Sequence, residues 1–253
     1  MKETQTRFTT EALVIKETNV GESDRLVTLF TRDYGVIKAF ASGAKSLKSK
    51  KASATSLLTY SSFTILKKKD TYKIYEAVPI ALFFGAGSDI TVLSLSQYFC
   101  ELCAEFAPTG VTNEEFLRLI LNSLHYLTKE RRNPELIKAI TELRIASISG
   151  YMPDLVACVG CGKFADDIMY FNLNNGHLFC SKCKPEITSV KIDKTLLNAM
   201  RHIVYSKFQN IYSFNIPSDS AKYLSDLTGR YICIQTDHRF TTLDFYNSIK
   251  DSV

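Results

Sequence analysis

The chain has 253 residues, 45% hydrophobic and 23% charged, a globular composition with enough material for two small domains. Its formal net charge of +5 is unevenly spread: between Lys38 and Lys73 nine lysines stand against one acid, Asp70, so this stretch carries +8 and the remainder about −3. No run of about 18 apolar residues occurs, and Met1-Lys-Glu-Thr-Gln-Thr-Arg-Phe is no secretory leader, which argues against a membrane span and for a cytoplasmic address.

From Phe8 to about Ile80 the sequence reads as short β-rich runs broken by turn residues. Strands are predicted at 11–18, 25–31, 36–42, 57–67 and 71–78, and five strands fit a small closed or nearly closed sheet. Asn19-Val-Gly-Glu-Ser-Asp, Arg32-Asp-Tyr-Gly and Lys68-Lys-Asp supply turn chemistry. The link between the third and fourth strands differs, because Gly43-Ala-Lys-Ser-Leu-Lys-Ser-Lys-Lys-Ala-Ser is small and cationic.

Beyond Pro79 the pattern becomes helical, which sets a boundary at 79–87 and an expected division into residues 1–80 and 81–253. Ser88 and Asp89 are predicted to cap a helix bearing Leu93, Tyr98, Leu102 and Phe106. A second helix begins at Asn113, with Glu114 and Glu115 complementing the dipole, and a third opens at Asn133-Pro134 and closes at Gly150. A cysteine motif interrupts this region at about 155–190, flanked by Ile168-Met-Tyr-Phe and His177-Leu-Phe, which suit a two-stranded knuckle. Helices resume after it, one capped by Asp193 and another by Ser218 or Asp219.

Seven cysteines are too sparse for a disulfide scaffold, and six of them form Cys-x-x-Cys pairs, as thiolate ligation in a reducing compartment requires. Cys158 and Cys161, then 18 residues, then Cys180 and Cys183 have the spacing of two knuckles converging on one tetrahedral ion. Four sulfur ligands leave no position for substrate or activated water, so the expected cofactor is one structural zinc ion. His177 is read as a strand residue beside the cluster. Cys100 and Cys103 share the face of an apolar helix and, like Cys233, read as core residues.

The cationic stretch has two parts, Lys45 to Lys51 and Lys67 to Lys69, and on a small barrel both can lie around one surface that tracks phosphates. Phe40, Tyr60, Phe63, Tyr72 and Tyr75 lie in the same region. About half of them face outward under period-two alternation, and Tyr72 is the candidate for stacking on a base.

Gly21-Glu-Ser-Asp-Arg-Leu-Val-Thr-Leu-Phe-Thr, then Tyr34-Gly-Val, then Ser42-Gly-Ala-Lys-Ser resemble the amino-terminal domain of the bacterial RecO family of DNA repair proteins. Glu142-Leu-Arg-Ile, Gly150-Tyr-Met-Pro-Asp-Leu and Cys158-Val-Gly-Cys-Gly resemble its helical region leading into a zinc motif, and the order of parts matches over nearly the whole chain. The resemblance implies an α+β multidomain protein: an N-terminal five-stranded OB-fold barrel, then an α-helical domain carrying a four-cysteine, zinc-ribbon-like motif. It further implies a nucleoid-associated recombination mediator that binds single- and double-stranded DNA and anneals complementary strands without ATP. With RecR, such a protein helps load RecA on strands coated by the single-strand-binding protein.

By the same resemblance Arg25, Lys45, Lys48, Lys50 and Lys51 fall at basic DNA-contacting positions, while Ser42 departs from a site that is often lysine. The tail of the single-strand-binding protein is acidic and aromatic, so its dock is expected to be a hydrophobic groove rimmed by arginine; Arg118, Arg131, Arg132 and Arg144 are the candidates. An enzyme with a zinc-stabilised fold is opposed by the lack of a His-x-Glu partner to the cysteines, of a Gly-x4-Gly-Lys phosphate loop and of clustered acids for two metals, and no small-molecule substrate or membrane is expected. The remaining alternative is a zinc-stabilised OB-fold adaptor for RNA or transcription.

Overall fold

The computed structural model describes residues 6–46, 49, 51–84, 89–107, 110–112, 114–184 and 189–250. Five strands, β1 (Thr6–Val20), β2 (Asp24–Thr31), β3 (Gly35–Ala41), β4 (Thr59–Lys68) and β5 (Thr71–Leu82), occupy the predicted regions, and a single turn of helix, α1 (Lys51–Ala54), lies between β3 and β4. Alternation decides what each strand buries. Ile37, Ala39 and Ala41 of β3 and Phe63 and Ile65 of β4 point inward, meeting Ala12, Val14, Val27, Leu29 and Ile74 in one apolar core.

Strand β1 serves two partners. It pairs antiparallel with β4 from Thr6 to Leu13 and with β2 from Ala12 to Val20, and a register shift between Val14 and Lys16 lets it turn the corner. Parallel pairing of Ala39 with Tyr72 and Phe40 with Lys73 joins β3 to β5. The hydrogen-bonded order β1-β2-β3-β5-β4 thus returns on itself as a closed barrel. A five-stranded sheet of this kind is consistent with the OB-fold superfamily.

Two compact units are defined by contact, Met1–Glu130 with Asp244–Val253, and Arg131–Leu243. Besides the barrel, the first holds α2 (Ile90–Phe106) and α3 (Glu114–Thr128). The Asp89 carboxylate accepts from the Thr91 and Val92 amides and caps α2; Ser88 and Asn113, also named as cap residues, lie outside the described residues. Cys100 and Cys103 are buried in α2, and burial pushes the Cys100 thiol up to about 12. Cys233 is only half-buried, so it is less enclosed than its sequence neighbourhood suggests.

The second unit contains α4 (Pro134–Ile148), β6 (Ile168–Asn172), β7 (Leu178–Cys180), β8 (Ser189–Asp193), α5 (Lys194–Tyr205) and α6 (Ser218–Thr236); α7 (Thr241–Lys250) follows. Asn133 and Asp193 cap α4 and α5 through their side chains as expected. Helix α6 differs. Its N-cap is Pro217, which has no side chain to donate or accept, and Ser218 and Asp219 fall inside the first turn. The single turn α1 and a 3-10 turn at Phe208–Asn210 lie beyond the sequence reading, as do α7 and β8, and β8 makes the expected two-stranded knuckle a three-stranded sheet in the order β7-β6-β8. All are short, and α7 buries Tyr246, and Leu243 beside it, within an otherwise polar sequence.

Between α4 and α6 lies a buried ion pair. Lys138 Nζ stands 3.0 Å from Glu142 Oε1 and donates to the Ser225 carbonyl at 2.8 Å, while Thr228 Oγ1 donates to Glu142 Oε2 at 2.6 Å. Every charge there has a polar partner, which is the condition for tolerating ions in an apolar interior. Gly229 leaves the room: a Cβ at that position would come within 2.9 Å of Lys138 Nζ.

Candidate metal centre and nucleic-acid interface

The two Cys-x-x-Cys pairs meet. Sulfur atoms of Cys158, Cys161, Cys180 and Cys183 all lie within 4.8 Å of one another, with Cys161 and Cys180 sulfurs 3.7 Å apart. A tetrahedron with metal–sulfur bonds of ~2.3 Å has edges of about 3.8 Å, so four thiolates so placed fit one tetrahedral ion. His177 is not part of the cluster; its backbone forms an isolated parallel β-bridge with that of Asp154.

Local backbone builds the pocket. The Gly162 amide donates to the Cys158 carbonyl at 2.8 Å, and Gly162 adopts a φ of +72°, which closes the first knuckle. Burial pushes the Cys158 thiol up, but backbone N–H groups of Cys180, Cys161 and Gly160 outweigh it and bring it down to about 6. Cys180 is likewise lowered, burial being overcome by the N–H groups of Lys182 and Cys183. Cys183 is pushed up to about 12 by hydrogen bonds with the thiols of Cys161 and Cys180 and by burial. The cysteine-bearing turns thus aim N–H dipoles at the Cys158 and Cys180 sulfurs, which stabilises the thiolate form a cation requires at those two ligands.

Two supporting residues lie outside the sequence reading. Gly160 is one: a Cβ there would sit 2.9 Å from Cys183 Cβ, and the only signal in the sequence is a small residue inside the first Cys-x-x-Cys. Arg201 of α5 is the other. Its guanidinium donates to the carbonyls of Leu155 at 2.7 Å, Val156 at 2.8 Å and Phe164, and covers the Phe164 ring at 3.9 Å. It stitches both sides of the first knuckle to a helix, a long-range role that local spacing does not reveal.

The basic residues of the barrel are handled unequally. Arg25 is largely enclosed; its guanidinium donates to the Ala52 carbonyl at 2.9 Å and the Thr55 and Ser56 hydroxyls at 3.3 Å, and lies 3.6 Å from Glu17. Lys45 donates from Nζ to the Gly21 carbonyl at 3.1 Å, and Lys51 to the Ile74 carbonyl at 3.2 Å. The Asp24 carboxylate accepts from the Gly43 amide at 2.8 Å, a bond that, with Ser23, holds its carboxyl below the ordinary range. Both ends of the β3–β4 link are therefore fastened to the barrel. Lys48 and Lys50 lie outside the described residues.

At the β4–β5 turn Lys67, Lys68 and Lys69 are all exposed, and Lys69 takes a left-handed φ of 54°. Lys67 Nζ lies 5.4 Å from the Tyr72 ring, which packs edge-on against Phe8 at 6.3 Å. Of the other aromatics, Phe63 is core, Phe40 and Tyr60 are half-buried, and Tyr75 is exposed beneath the Arg7 guanidinium at 4.4 Å.

The four arginines named for a partner do not form one set. Arg118 belongs to the first unit and Arg131, Arg132 and Arg144 to the second. Arg132 donates to the carbonyls of Tyr212 at 2.6 Å and Phe214 at 3.0 Å, and Arg144 to that of Val204 at 3.0 Å, so both bind backbone of their own unit; Arg118 and Arg131 are exposed.

A barrel with cationic turns, joined in one chain to a helical unit in which four thiols converge, defines a modular binding protein. Residues 1–83 match the family model described as Recombination protein O N terminal, and residues 87–244 match Recombination protein O C terminal. The chain is 33% identical over 241 residues to the DNA repair protein RecO of Acetivibrio thermocellus, covering 95% of this chain and 96% of that one. It is 30% identical over 241 residues to the RecO of Caldicellulosiruptor bescii (95% and 98%), and 27% over 242 residues to that of Alkaliphilus metalliredigens (95% and 98%). The chain belongs to the RecO family of DNA repair proteins, whose general role is that of a recombination mediator and not of an enzyme. Among the described residues no helix is long and apolar enough to cross a membrane.

Proposed function

We propose that this protein binds single- and double-stranded DNA through its barrel and anneals complementary strands without ATP. It works with RecR and with the acidic tail of the single-strand-binding protein to load RecA. The observation that carries this reading is the +8 stretch between Lys38 and Lys73, part of which is the exposed turn Lys67-Lys-Lys. Lysines neutralise phosphates and release their counterions, so two like-charged strands can approach on one protein surface. Lys45, Lys48, Lys50, Lys51 and Lys67 to Lys69 supply the charge, Tyr72 a ring for a base, and Arg25 holds the β3–β4 link in position.

In this reading the barrel, residues 1–80, handles nucleic acid, and residues 81–253 carry partner recognition, with Arg118 and Arg131 the arginines best exposed to meet a carboxylate. Cys158, Cys161, Cys180 and Cys183 hold one zinc ion. Bound there, zinc cross-links the two knuckles and supplies no reaction chemistry, because sulfur fills its coordination sphere.

The test is electrostatic. Reversing Lys67, Lys68 and Lys69 to glutamate removes at least three phosphate contacts, so the log–log salt slope for single-stranded DNA should flatten by about 2 and affinity at moderate salt fall more than tenfold. Unchanged affinity and slope in a folded variant would discard the site.

A further inference from the structure

One face of the three-stranded sheet gathers side chains that the thiol cluster does not use. Register sets Tyr170 of β6 directly beside Phe179 of β7 and Lys191 of β8. Neighbouring strands lie ~4.8 Å apart, so two rings and an ammonium group make a row across the sheet. Alternation fixes which face this is. Met169, Phe171, Leu178 and Ile192 are buried on the inner side, whereas Tyr170 and Phe179 are half-buried and Lys191 is exposed.

Two more cations border the row. Lys184 Nζ stands 4.7 Å from the Tyr170 ring centre, and Lys182 is exposed just before it. Nearby Lys163 and Lys194 are each neutralised, by Asp166 and Asp167 at 2.6 Å. Among the described residues Lys182, Lys184 and Lys191 have no acidic partner, and the carboxylate that alternation puts on this face of β8, Asp193, is engaged by the Leu196 amide, so three lysines against one acid leave the face positive.

We propose that this face is a second binding surface for single-stranded DNA, with bases stacking on Tyr170 and Phe179 and phosphates held by Lys182, Lys184 and Lys191. Charge complementarity selects a polyanion, and partly open rings select one whose bases are unpaired, since a duplex shows its phosphates but keeps its base faces inside. Lys184 sits on a flexible stem above a ring, within reach of the phosphate of a base stacked there. Phe179 directly precedes Cys180, and Lys182 and Lys184 flank Cys183, so the four thiols set the spacing of the platform without touching nucleic acid. The proposal rests on reading the protein as a handler of unpaired DNA, and it explains how one chain holds two strands: one on the barrel, one on this sheet.

The chain contains no tryptophan, which makes the site directly visible. Tyr170→Trp and, independently, Phe179→Trp each introduce a single emitter on the row. Titrating the full-length protein with oligo(dT) at low salt should quench either emitter saturably, while anisotropy of a labelled oligo(dT) reports total binding. Adding Lys184→Glu and Lys191→Glu should move the quenching midpoint at least tenfold and flatten its salt slope by about 1.4. Quenching should persist when Lys67, Lys68 and Lys69 are reversed on the barrel.

Flat emission from both tryptophans while anisotropy still reports bound oligo(dT) would overturn the second surface and leave the barrel reading intact. Quenching abolished by the barrel reversal alone would also overturn it, because the sheet would then have no affinity of its own. Quenching that survives while the barrel reversal leaves total binding unchanged would support the sheet and sink the barrel. Absence of both signals would remove both.

Discussion

Replacing Gly160 with alanine puts one methyl group inside the sulfur cluster. Its carbon would lie 2.9 Å from Cys183 Cβ, 3.1 Å from Cys183 Sγ and 3.9 Å from Cys158 Sγ. Carbon atoms in contact settle at about 3.5–4.0 Å, so Cys183 must retreat by roughly 0.6 Å or more. A metal–sulfur bond of ~2.3 Å tolerates only about 0.2 Å, so the fourth thiolate leaves its bonding distance. Weakened geometry at a metal site of this kind typically costs about 10–100-fold in affinity, or about 1.4–2.7 kcal/mol. Competition with a chromophoric chelator, with metal content measured by elemental analysis, reads this directly. Val159→Ala is the matched control, because Val159 is the adjacent residue and its side chain is exposed. A competition curve identical to that of the native protein would show that the knuckle absorbs the methyl group and that the packing inference is wrong.

Glu142→Ala should destabilise the second unit by about 3–5 kcal/mol, because it leaves the Lys138 ammonium buried beside a single carbonyl, and the denaturant midpoint should fall accordingly. Lys138→Met combined with Glu142→Leu should recover most of that loss; a double variant as unstable as the single one would contradict the desolvation account. Lys69→Gly relieves a left-handed backbone, gaining up to about 1 kcal/mol, while it removes one cation from the β4–β5 turn. Thermal melts should therefore hold or rise as the salt slope for single-stranded DNA becomes shallower, and a lowered melting temperature would mean that Lys69 is needed for the turn itself.

Local chemistry is the legible part of this sequence. Alternation locates all five barrel strands, Asp89, Asn133 and Asp193 announce helix starts through side chains that cap their own backbone, and cysteine spacing brings four sulfurs together. Long-range commitments are illegible. Arg25 is expected at a DNA contact and Arg132 and Arg144 at a partner dock because their actual partners are backbone carbonyls and hydroxyls about 27, 80 and 60 residues away, and carbonyls leave no mark on composition. Strand β8 is hidden by its brevity, and the row formed by Tyr170, Phe179 and Lys191 exists only once β8 has paired with β6. Pro217 misleads in the opposite sense, since Ser218 and Asp219 are ordinary cap residues displaced by a neighbour that cannot cap.

The double duty of β1 bears on how the nascent chain matures. Its first half finds a partner only in β4, with Thr6 opposite Lys67, so the hairpin of β1 and β2 emerges early from the ribosome with one hydrogen-bonding margin bare. Unsatisfied margins invite association between neighbouring nascent chains. The segment synthesised during that interval is the lysine-rich link, and like charges on separate chains oppose their association. The same charges that suit the finished molecule to polyanions would then act first against association of unfinished chains.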